Sequence, residues 1–220
     1  MIGKSWIAAA VVLAATATSS FAGTVNALAT DDTGAFVGPT VGGFTMVAFG
    51  DDVRAVIADV SDVAAPTGGV VGFSPDLSHR EIGNGWATWS HGYTGDVYYS
   101  NGATSITLTM PANTAAFYLY AEPNSFSNFT VTGFGTDGIT NDSDSMSING
   151  SAGAKRFEFW MSGGGSLTSI TISSTTDFAV GEFGIATVAV PLPSAALSGL
   201  ALLGVLGFVS FRRRNKSVVA

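Results

Sequence analysis

The segment Ile106-Thr-Leu108-Thr-Met110 alternates large apolar and small polar residues, and this period of two constrains the fold more than any other feature of the chain. Successive side chains of a strand point to opposite faces, so the pattern suits a half-buried strand and not an amphipathic helix. Phe129-Thr-Val131-Thr, Phe157-Glu-Phe159, Ile170-Thr-Ile172 and Phe178-Ala-Val180 repeat it. Among these segments lie Asn84-Gly85, Asn101-Gly102, Asp137-Gly138 and Asn149-Gly150, dipeptides that accept positive φ and are favoured in hairpin turns. Short strands broken by turns about every 8 to 12 residues predict an all-β domain, a single β-sandwich or jelly roll. Helical periodicity is poor. Its best case is 51–63 (DDVRAVIADVSDV), with acids at the start and Val53, Val56, Ile57 and Val60 at helical spacing. The β-branched content of that segment leaves a strand pair as the alternative. Residues 64–80 read as a loop.

The two ends of the chain do not share this pattern. Met1 to Lys4 carries one positive charge, an apolar run follows from Trp6 to about Ala17, and the stretch closes Ser20-Phe21-Ala22. A basic start, an apolar core of about a dozen residues and a small-x-Ala ending describe a secretory signal peptide, 1–22, cut between Ala22 and Gly23. At the other end Ala195 to Phe211 is uncharged and rich in Leu, Gly and Ala, and Arg212, Arg213, Arg214 and Lys216 close it. As a helix, 195–211 is about 25 Å long, and arginine side chains can snorkel across the remainder of a hydrocarbon core of about 30 Å. The basic cluster stays cytoplasmic by the positive-inside rule, which leaves the middle domain outside, as the signal peptide requires.

Before that helix stands Val190-Pro191-Leu192-Pro193-Ser194, made stiff and extended by its two prolines. Motif, helix and basic cluster in that order resemble the PEP-CTERM class of bacterial sorting signals, in its VPLPA-type variant, with Ser194 where that variant has alanine. The region 86–185 is similar in style to the ectodomains of that class, through WATWSHGY, AAFYLYAEP, GAKRFEFW and FAVGEFGIA. The resemblance implies a Gram-negative producer of exopolysaccharide, an exosortase-type enzyme cutting within the 190–216 sorting signal, and a precursor anchored in the inner membrane. It implies a mature protein released to the cell surface or extracellular matrix of a biofilm.

Between these labels lies a domain over 23–189. It holds all 16 acidic residues but only Arg54, Arg80, Lys155 and Arg156 as bases, a formal charge of −12. Such a surface repels phosphate backbones, so no nucleic-acid partner is expected. The chain has no cysteine, which removes disulfides, thiolate metal sites and cysteine nucleophiles.

Candidate sites are few. His79 and His91 are twelve residues apart with no H-E-x-x-H spacing, and are read as loop or surface residues. No G-x-S-x-G elbow occurs. Glu81, Glu122, Glu158 and Glu182 are the acids available for a carboxylate pair of the glycoside-cleaving kind, which sequence alone does not place. With these absences the expectation is a non-enzymatic surface or matrix protein with no catalytic residue and no cofactor. Structural Ca²⁺ is the one metal considered, through Asp142 and Asp144 in Asn141-Asp-Ser-Asp144, with Asp31-Asp32 and Asp51-Asp52 as equals; EF-hand spacing is lacking, and solvated turns explain all three. The alternative function is a lectin-like, carbohydrate-binding module in which Trp86, Trp89 and Tyr93, within an aromatic block at 86–99, form a stacking platform for exopolysaccharide. The competing explanation for those rings is a place in the core.

Overall fold

The computed structural model describes residues 23–31 and 40–188. Ala22 and the rest of the expected signal peptide, Val190 to Ser194, the helix expected over 195–211, and Arg212 to Arg214 lie outside the described residues. Within them the chain is all-β, with no helix.

Fifteen strands follow in order. The first group is β1 (Thr24–Thr30), β2 (Thr40–Val41), β3 (Phe44–Thr45), β4 (Val47–Ala48) and β5 (Asp59–Ala64). Next come β6 (Val70–Ile82), β7 (Gly85–Trp86), β8 (Asp96–Tyr99), β9 (Ser105–Thr109) and β10 (Thr114–Pro123). The last are β11 (Asn128–Thr136), β12 (Asn141–Asn149), β13 (Lys155–Ser162), β14 (Ser169–Ser174) and β15 (Phe178–Thr187). All but the β2–β3 ribbon join one 13-stranded sheet whose path runs β1-β13-β10-β15-β8-β6-β9-β14-β11-β12. Neighbours along that path are antiparallel.

The long strand β6 divides the path in two. Gly72 to Ser74 pair with β9, whereas Ser78 to Arg80 pair with β8. Both halves feed one core. Phe117, Leu119, Phe157, Phe159, Phe178 and Phe183 come from the first half, and Ile106, Leu108, Val131, Ile148, Ile170 and Ile172 from the second. Residues 133 and 135 of β11 face this core and are glycine for a steric reason. A Cβ on Gly133 would stand 2.8 Å from ring atoms of Phe157 and Phe159, and one on Gly135 2.8 Å from Phe159. The predicted alternation is visible as burial: Ile106 and Leu108, Ile170 and Ile172 are inward and buried, with Thr107 and Thr171 between them.

The two ends of the path meet through side chains. Val25 N–H donates to Thr140 Oγ1 (3.2 Å), Ala27 N–H to Asp142 Oδ2 (2.9 Å) and Ala29 N–H to Asp144 Oδ2 (2.9 Å). Alternate amides of β1 thus meet the side chains of Thr140, just before β12, and of Asp142 and Asp144 at its start, and the sheet is nearly closed. An edge that would otherwise offer unpaired amides is covered. The metal candidates Asp142 and Asp144 are engaged in this seam, and their second oxygens accept from Ser143 N–H and Ser145 N–H. Asp31 pairs with Lys155, Asp52 is enclosed by Arg54, and Asp32 lies outside the described residues. Among the described residues no three His, Asp or Glu converge to hold a metal.

Two local expectations are corrected. Residues 51–58 form no helix, because the Asp52 carboxylate folds back on its own segment, accepting from Arg54 N–H at 3.1 Å and Arg54 Nε at 2.8 Å. Ile57 there is left-handed, with φ 72°. The strand alternative holds for β5. Residues 70–80 are strand rather than loop, and the connection from β5 is a tight one in which Gly68 and Gly69 supply φ of 96° and 78°.

Candidate functional site

Unlike β9 or β14, strand β10 is buried along its whole length. Phe117, Leu119 and Ala121 enter the main core, while Ala116, Tyr118 and Tyr120 point the other way into a second cluster with Val41, Met46, Trp86, Trp89 and Trp160. The outer face of β10, β13 and β15 is therefore roofed by the chain itself, by residues 40–48 and by a strap over 82–95. Glycines make room for the rings of this layer: a Cβ on Gly184 would lie 2.0 Å from the Tyr118 ring of the sheet, and one on Gly42 in the roof 2.1 Å from Trp160.

Acids hold the strap down. Glu122, 0% exposed, accepts from Trp86 Nε1–H at 2.9 Å, Thr88 Oγ1–H at 3.2 Å and Gly153 N–H at 3.1 Å. Glu182 accepts from Trp89 Nε1–H at 3.2 Å and faces His91 Nε2 at 2.9 Å. The other nitrogen of His91 lies 2.8 Å from Ser90 Oγ. Glu182 reaches the strap through a bulge: β15 places an extra residue between the partners of Tyr118 and Tyr120, and Glu182 itself has φ 52°. On β13, Arg156 and Glu158 sit opposite Tyr120 and Tyr118, joined by Arg156 Nε–H to Glu158 Oε1 at 2.8 Å.

The electrostatics follow from enclosure. Burial pushes the Glu122 carboxyl up, against the Trp86, Gly153 and Thr88 donors that favour its charged form. Burial also raises Glu182, opposed by His91, Trp89 and Arg156. The Tyr118 hydroxyl is pushed up to about 12 by burial and by the neighbouring Glu182. Beside the strap, a cleft of about 200 Å³ is lined by Phe49, Gly50, Tyr93, Asp96, Tyr98, Tyr118, Glu182 and Phe183.

A second polar cluster secures residues 49–58. His79, 0% exposed, places Nε2 2.8 Å from Asp96 Oδ1 and Nδ1 3.2 Å from the Ala55 carbonyl. Asp96 Oδ2 accepts from Asp52 N–H at 2.6 Å, and Tyr98 donates to Asp52 Oδ2 at 3.0 Å. Burial works to raise the Asp52 carboxyl, but hydrogen bonds from Arg54 and Tyr98 outweigh it and bring it to about 2.

Three sequence expectations change here. Both histidines are interior, because each has a carboxylate as partner. Trp86 and Trp89 are 8% and 6% exposed, so they form no open platform, and Tyr93 is half-buried with its hydroxyl donating to the Asp96 carbonyl at 3.1 Å. Three of the four glutamates, Glu122, Glu158 and Glu182, belong to one roofed face, while Glu81 stands apart near Asn84. Sequence reasoning missed the parts of Arg156, Ser90 and Tyr118. A signal existed: Glu158 between two phenylalanines, and Glu182 among Val, Gly and Phe, are charges inside apolar strands and need partners when buried. The arrangement can hold a loop rigidly. Its acids spend their oxygens on indole, imidazole and amide donors. No protein-family model matches the chain, and no curated protein matches its sequence.

Proposed function

We propose that this chain is an exported, non-enzymatic surface or extracellular-matrix protein whose middle is a single β-sandwich of jelly-roll type. In this reading residues 1–22 direct export and are removed at Ala22–Gly23. The tail over 190–216 anchors the precursor in the inner membrane until an exosortase-type enzyme cuts near Val190 to Ser194. The observation that carries the non-enzymatic part is the use of Glu122 and Glu182. A retaining or inverting glycosidase needs two acids facing substrate across a cleft, and here both acids are committed to strap donors. Glu122 is also fully shut from solvent. The sandwich reading is favoured by the single core shared by the two halves of the path. Exopolysaccharide is the matrix partner that the tail implies.

The test is the intact mass of the mature protein recovered from producing cells and their medium. The reading predicts a chain beginning at Gly23 and ending near Val190 to Ser194. A mature chain that retains Arg212 to Arg214 contradicts the sorting step and leaves a membrane-tethered domain.

A further inference from the structure

The outward face of the second half of the sheet is as bare as the first is covered. The outward residues of β9, β14, β11 and β12 lie in transverse rows given by the strand register. One row runs Ser143, Phe134, Thr171 and Thr107 and continues to Ser74 of β6. The rows beside it run Ser145, Thr132, Ser173, Ser105 and Asn141, Thr136, Ser169, Thr109. Spacing is about 4.8 Å between strands and about 6.8 Å between outward positions along a strand. No outward position of these four strands is charged, in a domain whose formal charge is −12. The two acids of β12, Asp142 and Asp144, turn instead to the β1 seam.

At the centre of this hydroxyl field stands one aromatic ring. Phe134 is 37% exposed. Its neighbours across the strands, Thr171 and Ser143, are too short to cover it, and residues 133 and 135 beside it are glycines turned into the core. Phe134 is the one aromatic residue among the outward positions of these four strands, all the others being Ser, Thr or Asn.

We propose that the outward face of β9, β14, β11 and β12 is a docking surface for a neutral polysaccharide chain, with the Phe134 ring as its stacking platform. Hydroxyls donate and accept, as sugar hydroxyls do, so a polyol exchanges hydrogen bonds with this face without stripping water from any charge. The ring covers the apolar C–H face of one sugar. An acidic polymer is repelled by the domain as a whole, and a cationic one finds no carboxylate here. Repeated units along the polymer raise the apparent affinity of a weak single site. The proposal deepens the matrix reading and rests on it only for the kind of polymer encountered.

Affinity electrophoresis of the full chain in mild detergent tests it, with a linear neutral β-glucan and dextran as probes and alginate as the acidic control. Retardation by a neutral glucan and not by alginate is expected, and Phe134→Ala should weaken it roughly tenfold. Phe134→Tyr should retain it. Phe126→Ala, at an exposed ring off this face, should change nothing. Absence of retardation by both glucans overturns the proposal, as does equal retardation of Phe134→Ala and the parent. A dimer in sedimentation that Phe134→Ala dissolves, without glucan binding, would assign the face to a second copy and also overturn it. Binding is read on purified chain, so it can fail while mature-mass processing succeeds, and the reverse.

Discussion

The outer face of β10, β13 and β15 and that of β9, β14, β11 and β12 belong to one sheet and share one core, yet the chain treats them in opposite ways. The first carries Glu122, Glu158, Glu182 and Arg156 and is roofed by aromatic residues of the strap. The second carries no charge and is left to solvent. The difference teaches where a sequence pattern can be trusted. In β9 and β14 of the bare face apolar and hydroxyl residues alternate, because one side of each strand meets the core and the other meets water. On the roofed face the alternation fails, as in AAFYLYAEP, because both sides are interior and buried acids are tolerated only where donors reach them.

Substitutions should separate the two faces, with the largest effect under the roof. Trp86→Ala removes a buried indole and leaves Glu122 short of a donor; a loss of about 3–5 kcal/mol in chemical denaturation is expected. A loss below about 1 kcal/mol would mean that the strap is not docked. Next is Glu122→Ala, which strands the Trp86 and Gly153 donors, at about 1–3 kcal/mol. The seam comes third. Asp142→Ala with Asp144→Ala frees two β1 amides at a partly exposed edge and should lower stability by about 1–2 kcal/mol while exposing Ala27 and Ala29 to hydrogen exchange. On the bare face Thr171→Ala and Ser145→Ala should stay within about 0.5 kcal/mol of the parent.

These contrasts also locate what the sequence made legible. Strands β9, β11 and β14 and the all-β class were readable, since Ile106, Leu108, Ile170 and Ile172 declare the buried side directly. The Asp137-Gly138 hairpin between β11 and β12 was readable too, with Gly138 at φ 90°. Strand β6 was hidden by Pro75 and by the glycines around it. The roofed site was hidden because its anchors are 36 to 93 residues from their partners, as in Trp86 with Glu122 and Trp89 with Glu182. The aromatic block at 86–99 stands out in the sequence, but whether its rings lie open or closed depends on acids that only the fold brings near.

Acidity distinguishes the two clusters of the roofed half. Glu122 is raised above its ordinary 4.5 by burial, so the folded state holds its proton longer than the unfolded chain. Its contribution to stability is complete below pH 4.5 and declines as pH rises through the raised value. Asp52 is the reverse, lowered from 3.8 to about 2. Its contribution is present above pH 3.8 and is lost as pH falls towards about 2. Denaturation midpoints of the parent, Glu122→Gln and Asp52→Asn across this range should show the first variant gaining relative stability with rising pH. The second should lose its deficit only at the acid end. Parallel curves for all three would refute both assignments.

The central claim is that buried acids tie the strap over 82–95 to the sheet. Hydrogen exchange of the full chain, followed by peptide over that strap, tests it most directly, because the strap's own hydrogen bonds, Ile82 N–H to Gly95 O and Gly83 N–H to Trp86 O, are local ones that undocking leaves without cover. The account predicts slow exchange across 82–95 in the parent and fast exchange there in the Glu122→Ala, Glu182→Ala double variant, with β9 and β14 still protected. Fast exchange of the strap in the parent itself would contradict it.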